Sequence, residues 1–302
     1  MALTPGICGG SYLLSYDLLL NAVVLGLLLG CFYAAVSIGL SVSFGLLGVP
    51  NVAHPAILIL GSYGTYLLGR QGLDPLFAGV IQTPLFFLLG TAIYGIYYKV
   101  FEKRGSDAGV RGLAFFFGTA LIIEVSLILA FGVDQRSVEA AYIGTSIPIG
   151  DLRLPVRMVV AFLVALGLTA GLTLYFSKTF RGRAIMAVAQ DETALRLMGE
   201  NPVRVKQWAF GIATAVTGLT GAMLIVITPV DPSLYRIYIG RTFCVTVLAG
   251  LGSMPGTLVA GLILGVSESI VLTMFGASWA PAVAFGLLLV VLGVRPQGLF
   301  NR

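Results

Sequence analysis

The sequence predicts an all-α polytopic membrane protein: a transmembrane helix bundle of about eight spans, a broken or re-entrant helix, and a pair of short cytoplasmic helices. Three observations carry this. Hydrophobic residues make up 58% of the 302 residues and charged residues only 10%, against about a quarter charged in soluble domains. Mean hydropathy is +0.98. Apolar runs such as 18–48 continue for roughly 30 residues without a charge, far beyond the ~5 residues of a buried strand. That length argues against a soluble α/β protein with buried parallel strands.

Windows long enough to cross a bilayer fall near 18–48, 52–69, 76–98, 112–132, 157–177, 208–229, 256–275 and 279–294, with a short broken segment at 241–253. The first window suits one tilted or bent helix, or a span plus a half-span, with Gly39, Gly45 and Gly48 permitting a bend. The N-terminus lacks the positive region of a cleaved signal peptide, so the first apolar run is expected to remain as a span.

Orientation follows from the cations. Lys99, Lys103, Arg104 and Arg111 cluster in one loop and Lys178, Arg181, Arg183, Arg196, Arg204 and Lys206 in another, together ten of the 18 basic residues. Both loops are expected to be cytoplasmic. Loop 133–156 balances Asp134, Glu139 and Asp151 against Arg136 and Arg153 and suits the opposite face. The N-terminus is then outside. Eight clean crossings would leave the C-terminus outside too, whereas Arg295 and Arg302 favour the inside; a partial crossing by 241–253 would resolve the conflict.

Composition also excludes functions. The net charge of +5 and pI near 9.2 come from cations at the ends of apolar runs, so they read as topology signals and imply no nucleic-acid partner. Cys8, Cys31 and Cys244 form neither a disulfide framework nor a metal spacing, and there is 1 histidine. No metal site is expected. No GxxxxGK[ST] phosphate loop occurs, and the polar stretches are too short for a nucleotide fold. If ATP is used, another chain binds it.

Residues 178–207 are polar but helical in period, with Arg183, Ala187, Gln190, Ala194 and Met198 near one face. Asp191 suits the cap of a second short helix, Glu192 adds favourable charge to its first turn, and Gly199 suits its end. Asn201-Pro202 reads as the cap and first residue of the next helix. Two uses fit this cassette. Small alanines and the directional contacts of Asp191, Glu192 and Arg196 suit mechanical coupling to a partner, while Arg181, Arg183, Arg204 and Lys206 suit an amphipathic helix on anionic lipid.

The stretch Arg183-Ala-Ile-Met-Ala-Val-Ala-Gln-Asp-Glu-Thr-Ala-Leu-Arg-Leu-Met-Gly-Glu-Asn201 resembles the coupling-helix loop of Liv-type branched-chain amino acid ABC permeases, with one residue's difference in spacing. Asn51-Val-Ala-His54 resembles that family's Asn-Phe-Ala-His. Gly250-Leu-Gly-Ser-Met-Pro-Gly256, followed by Gly261, Gly265 and Glu268, resembles its glycine-rich broken segment, and Val294-Arg-Pro-Gln-Gly-Leu-Phe300 its terminal motif. The motifs occur in family order across nearly the whole chain. The resemblance implies a single permease domain over 1–302, with 178–207 as the coupling loop. It also implies a second homologous permease, two cytoplasmic ATPases that bind ATP and Mg, a periplasmic binding protein, and no cofactor in this chain. Pro55 departs from the family's usual glycine. The absence of a large periplasmic extension of the urea-permease kind disfavours urea or amides.

Within the bilayer an acid costs ~3 kcal/mol, so Glu124 and Glu268 should face protein or water. Each is either a translocation-path or gate residue or an acid that pins helices through Ser, Tyr or backbone, with Ser126, Ser267 and Ser269 nearby. His54 and Asn51 flank the junction of the first two runs, where a gate and a helix-capping role are both open. Gly26/Gly30, Gly90 with Gly95, Gly218/Gly221 and Gly252/Gly256/Gly261/Gly265 offer small surfaces for close packing. The density around Gly252 and Pro255 suggests a discontinuous, path-lining helix at a subunit interface. Loop 229–241 presents Asp231, Tyr235, Arg236 and Tyr238 for binding-protein docking or as an interfacial aromatic belt.

The expected function is that of an inner-membrane permease subunit of an ATP-driven importer for branched-chain or related amino acids. It catalyses no bond chemistry. The alternatives are the same architecture importing urea, short amides or small organic acids, a stand-alone secondary transporter, and a membrane scaffold or channel.

Overall fold

The computed structural model describes residues 16–48, 51–104, 108–149, 152–295 and 297–300. Eleven α-helices are described: α1 (Tyr16–Leu47), α2 (His54–Gly69), α3 (Pro75–Val100), α4 (Ala108–Phe131), α5 (Val156–Lys178), α6 (Phe180–Val188), α7 (Glu192–Leu197), α8 (Pro202–Ile227), α9 (Tyr235–Ala249), α10 (Met254–Phe275) and α11 (Ala280–Val294). A small antiparallel hairpin, β1 (Ser146–Ile149) with β2 (Leu152–Pro155), pairs Ile147 with Leu154. It lies in the loop after α4, where the sequence reading expected only an outer connection.

Among the described residues 7 helices are long and apolar enough to cross a membrane. The chain is an all-α polytopic bundle. One of the expected eight spans, α2, and the helix α9 that holds most of the expected broken segment are shorter. α2 has 16 residues and α9 has 15, about 24 and 22 Å of helix against a hydrocarbon core of ~30 Å. α1 is one continuous helix of 32 residues rather than a span plus a half-span.

The bundle is built around α1 and α8. α1 crosses α10 through glycines on both sides: a β-carbon on Gly26 would lie 2.6 Å from Val266 Cα, and one on Gly30 2.7 Å from Leu262 Cα. No side chain fits between these backbones, as expected of small-residue helix contacts in lipid. Farther along α1, Gly39 admits the His54 ring and the α8 backbone at Ala213. α8 is buried along most of its length against α2 and α3. Gln82 of α3 joins all three, donating to Gly61 O at 3.1 Å and Gly218 O at 3.0 Å. α4, α5 and α11 lie outside and expose Ile122, Leu129, Leu163 and Leu289.

The segment 241–253 is not a short broken span. Its first part belongs to α9, which begins at Tyr235 inside the expected outer loop, and the break is confined to the turn between Ala249 and Met254. Gly250 (φ 85°) and Gly252 (φ 82°) take left-handed backbone there. Ser253 then caps α10, its Oγ accepting from Gly256 N at 3.2 Å.

That turn also sets the end of the chain. Leu299 N donates to Leu248 O at 2.9 Å, and Gly298 lies against Gly250. Met254 packs in one apolar cluster with Ile185, Val188 and Leu195 of the short helices. Residues 297–300 therefore sit on the same side of the bundle as the cassette. Counting α9 as a passage between α8 and α10 makes the number of crossings agree with a C-terminal end on the cassette side.

Candidate functional site

The cassette is a helix pair. Thr179 caps α6, its Oγ1 accepting from Gly182 N at 3.0 Å. α6 buries Gly182, Ile185 and Val188 against α5 and α8. Asp191 caps α7 as expected, accepting from Thr193 N at 2.7 Å and Ala194 N at 3.0 Å. Gly199 turns the chain at φ 85°, and Asn201 caps α8, accepting from Val203 N at 3.0 Å.

One expectation is corrected. Arg183, Ala187, Gln190, Ala194 and Met198 do not share a single helical face, because α6 stops at Val188 and a turn at Ala189–Gln190 reorients the chain. They are nevertheless outward on the two pieces: Ala187 is half-buried and the others are exposed. Leu197 and Met198, 85% and 69% exposed, add apolar surface beside Ala194.

Glu192 is drawn inward. It pairs with Lys206 of α8, whose Nζ also reaches Glu102 Oε1 at 2.8 Å. Tyr94 donates to the other Glu102 oxygen at 2.9 Å. A single lysine, 5% exposed, thus ties α7 to α8 and to the turn after α3. The sequence gives Lys206 a topological role or a place on anionic lipid, and the structure instead buries it; its position on one face with Pro202, Val203 and Phe210, at steps of three and four, is the signal for burial.

Glu124, 5% exposed, accepts from Tyr235 at 3.0 Å and Arg236 at 2.7 Å. It fastens α4 to the start of α9 through a tyrosine, without the nearby Ser126. Tyr235 is buried at this contact, and Tyr238 is buried beside Arg241. Arg236 keeps an exposed side chain while bonded to Glu124. Asp231 caps the 3-10 turn before α9, accepting from Ser233 N at 3.0 Å.

Glu268 of α10, 2% exposed, pairs with Arg241 of α9. The Arg241 guanidinium also lies over two tyrosine rings, 5.4 Å from the centroid of Tyr33 on α1 and 5.2 Å from that of Tyr238. Among the described residues no hydrogen bond within 3.5 Å reaches Glu268 Oε2 or Arg241 Nε. Here three helices meet at a charged pair with spare donor and acceptor capacity. Sequence reading named Glu268 but placed Arg241 at a loop end; a buried acid requires a cation, and Arg241 was the available one between the adjoining apolar runs.

Of the remaining candidates, Gly252 lies in the α9–α10 turn and Pro255 is exposed in the first turn of α10, both away from the Arg241–Glu268 pair. Asn51 is buried before α2, with no partner for its side-chain oxygen among the described residues. His54 Nε2 lies 2.8 Å from Val36 O and Nδ1 3.2 Å from Thr217 Oγ1. An Nε2–H tautomer donates to Val36 and leaves Nδ1 to accept from Thr217. The ring joins α1, α2 and α8.

A family described as branched-chain amino acid transport system permease component matches residues 22–292. The chain belongs to that family. Among curated proteins, the permease is 27% identical over 294 residues to the high-affinity branched-chain amino acid transport system permease protein BraD of Pseudomonas aeruginosa, covering 94% of this chain and 96% of the relative. It is 27% identical to LivH of Escherichia coli K12, over 92% of this chain and 94% of that protein. It also resembles LivM of Salmonella typhimurium, at 26% identity over 88% of this chain and 67% of the relative. No solved structure matches. Permease membership agrees with a membrane subunit whose work is passage of a solute.

Proposed function

We propose that this permease is one membrane subunit of an ATP-driven importer of branched-chain amino acids in the bacterial inner membrane. A second, related permease would complete the passage, and similarity to proteins named both LivH and LivM supports such a pairing. A periplasmic binding protein would deliver substrate. ATP and Mg would be bound by two cytoplasmic ATPases, which receive the outward face of the cassette.

The observation that carries this reading is the combination of family and cassette geometry. Two capped helices present Arg183, Gln190, Asp191, Ala194 and Met198 outward, while Lys206 fastens their inner side to α8. An ATPase gripping that face would move α8 directly. The test is uptake of radiolabelled leucine into vesicles holding the co-expressed subunits and the binding protein, with ionophores present. Uptake should require ATP, and Ala194→Trp should abolish it without removing the permease from the membrane. Uptake that persists without any ATPase would overturn the reading in favour of a secondary transporter.

We assign the Arg241–Glu268 pair to the passage on the strength of its buried, incompletely bonded charges. An α-amino acid carries a carboxylate and an ammonium, which this cation and anion complement, whereas urea has no charge for them to meet. The pair therefore favours a zwitterion over urea or neutral amides. Glu124 and His54 suit a helix-pinning role, since both are fully engaged in bonds between helices.

A further inference from the structure

The cytoplasmic end of α5, the helix α6 and the start of α8 enclose a cavity of about 290 Å³. Its walls include the rings of Tyr175, Phe180 and Trp208 and the cations of Arg181 and Arg204, with Glu200 as the one lining carboxylate. The Arg181 guanidinium lies 5.0 Å from the Trp208 ring centroid. Neither arginine has an ion-pair partner among the described residues.

The cavity is on the membrane flank of the cassette. Ile185, which α6 buries against its neighbours, lines it, whereas Leu197 and Met198 of the outward face do not. Trp208 stands about two turns into α8, against Phe87 of α3 at 5.1 Å between ring centroids, on a helix that exposes Leu85 and Leu88. Tryptophan at that depth marks the level of lipid headgroups. A ligand that fits must join an anion to apolar chains.

We propose that this cavity is a binding site for an anionic phospholipid of the cytoplasmic leaflet. The headgroup phosphate pairs with Arg181 and Arg204, and the acyl chains leave along the aromatic wall of Phe180 and Trp208. The site depends on the chain's membrane-spanning character and not on the substrate or on how transport is energised. An acidic segment of a partner protein is the competing occupant, disfavoured by the aromatic lining and by the position behind the outward face.

Native mass spectrometry of the full chain, released from detergent micelles supplemented with phosphatidylglycerol or phosphatidylcholine, tests this. Phosphatidylglycerol should be retained with a preference of roughly tenfold or more, the factor expected of two arginines beside one anionic headgroup. Arg181→Gln with Arg204→Gln should abolish the preference; both positions are exposed, so the fold should survive. Arg183→Gln, two residues from Arg181 and directed to Lys178 O, should keep it. Equal retention of the two lipids, an unchanged preference in the double variant, or displacement of the lipid by millimolar inorganic phosphate would overturn the proposal. So would retention of phosphatidylglycerol that ends when the ATPase subunits are present.

Discussion

The two acids in the membrane interior have different surroundings despite their similar sequence context. Glu124 spends both oxygens on Tyr235 and Arg236, so it is a helix fastening. Glu268 keeps one oxygen unpartnered beside Arg241 and two tyrosine rings. Removing either charge of the Arg241–Glu268 pair strands the other, a cost of ~3–5 kcal/mol for a buried pair. Arg241→Gln should therefore lower the melting temperature and abolish leucine uptake. The Arg241→Glu, Glu268→Arg exchange should restore thermal stability without restoring uptake, because the two ends of the substrate would meet the wrong partners. Full recovery of uptake in the exchanged protein would make the pair merely structural. The acids themselves were legible in the sequence as expensive placements. Their partners were not, because Tyr235, Arg236 and Arg241 stand among polar residues that resemble an outer loop and reveal their helix only when packed.

At the level of elements, the caps were the most legible features. Asp191, Gly199 and Asn201 act locally, within a turn of their own position, and each occupies its expected place. The broken segment was less legible: its helix α9 is short, carries Arg241 and the two threonines Thr242 and Thr246, and owes its stability to contacts with α10, α11 and α1. The continuity of the cassette face was also misjudged, since periodicity of three and four persists across the turn that separates α6 from α7. Two element-level outcomes follow. Gly30→Val should separate α1 from α10, destabilising the protein by ~1–3 kcal/mol, measured as a lower melting temperature in detergent; a change within error would mean that the crossing is loose. Lys206→Met should release α7 from α8, seen as faster amide exchange over 183–201 with the transmembrane helices still protected. If transport and exchange are both unchanged, Lys206 is not the link between cassette and bundle.

For the whole molecule, composition and charge-free length were enough to read the membrane bundle, because insertion of long apolar helices is decided by the residues themselves. The path of the chain end required tertiary contacts. Leu299 bonding to Leu248 and Met254 packing with the cassette put the C-terminal residues on the cassette side. A membrane-impermeant maleimide should accordingly label Leu197→Cys and Leu299→Cys from the same face of sealed vesicles, and Glu139→Cys from the opposite face, in a Cys8→Ser background. Labelling of Leu299→Cys together with Glu139→Cys would contradict the arrangement.

The matching of each intramembrane acid with one arginine has an electrical consequence. Glu124 with Arg236 and Glu268 with Arg241 leave these sites without net charge, and a zwitterion adds none as it passes. Moving such a neutral assembly does no work against the membrane potential, whereas one uncompensated charge would couple to about 2.3 kcal/mol per 100 mV. Uptake at saturating ATP should stay constant when a potassium gradient and valinomycin set the voltage, so the direction of transport would be governed by nucleotide and not by the energised state of the membrane.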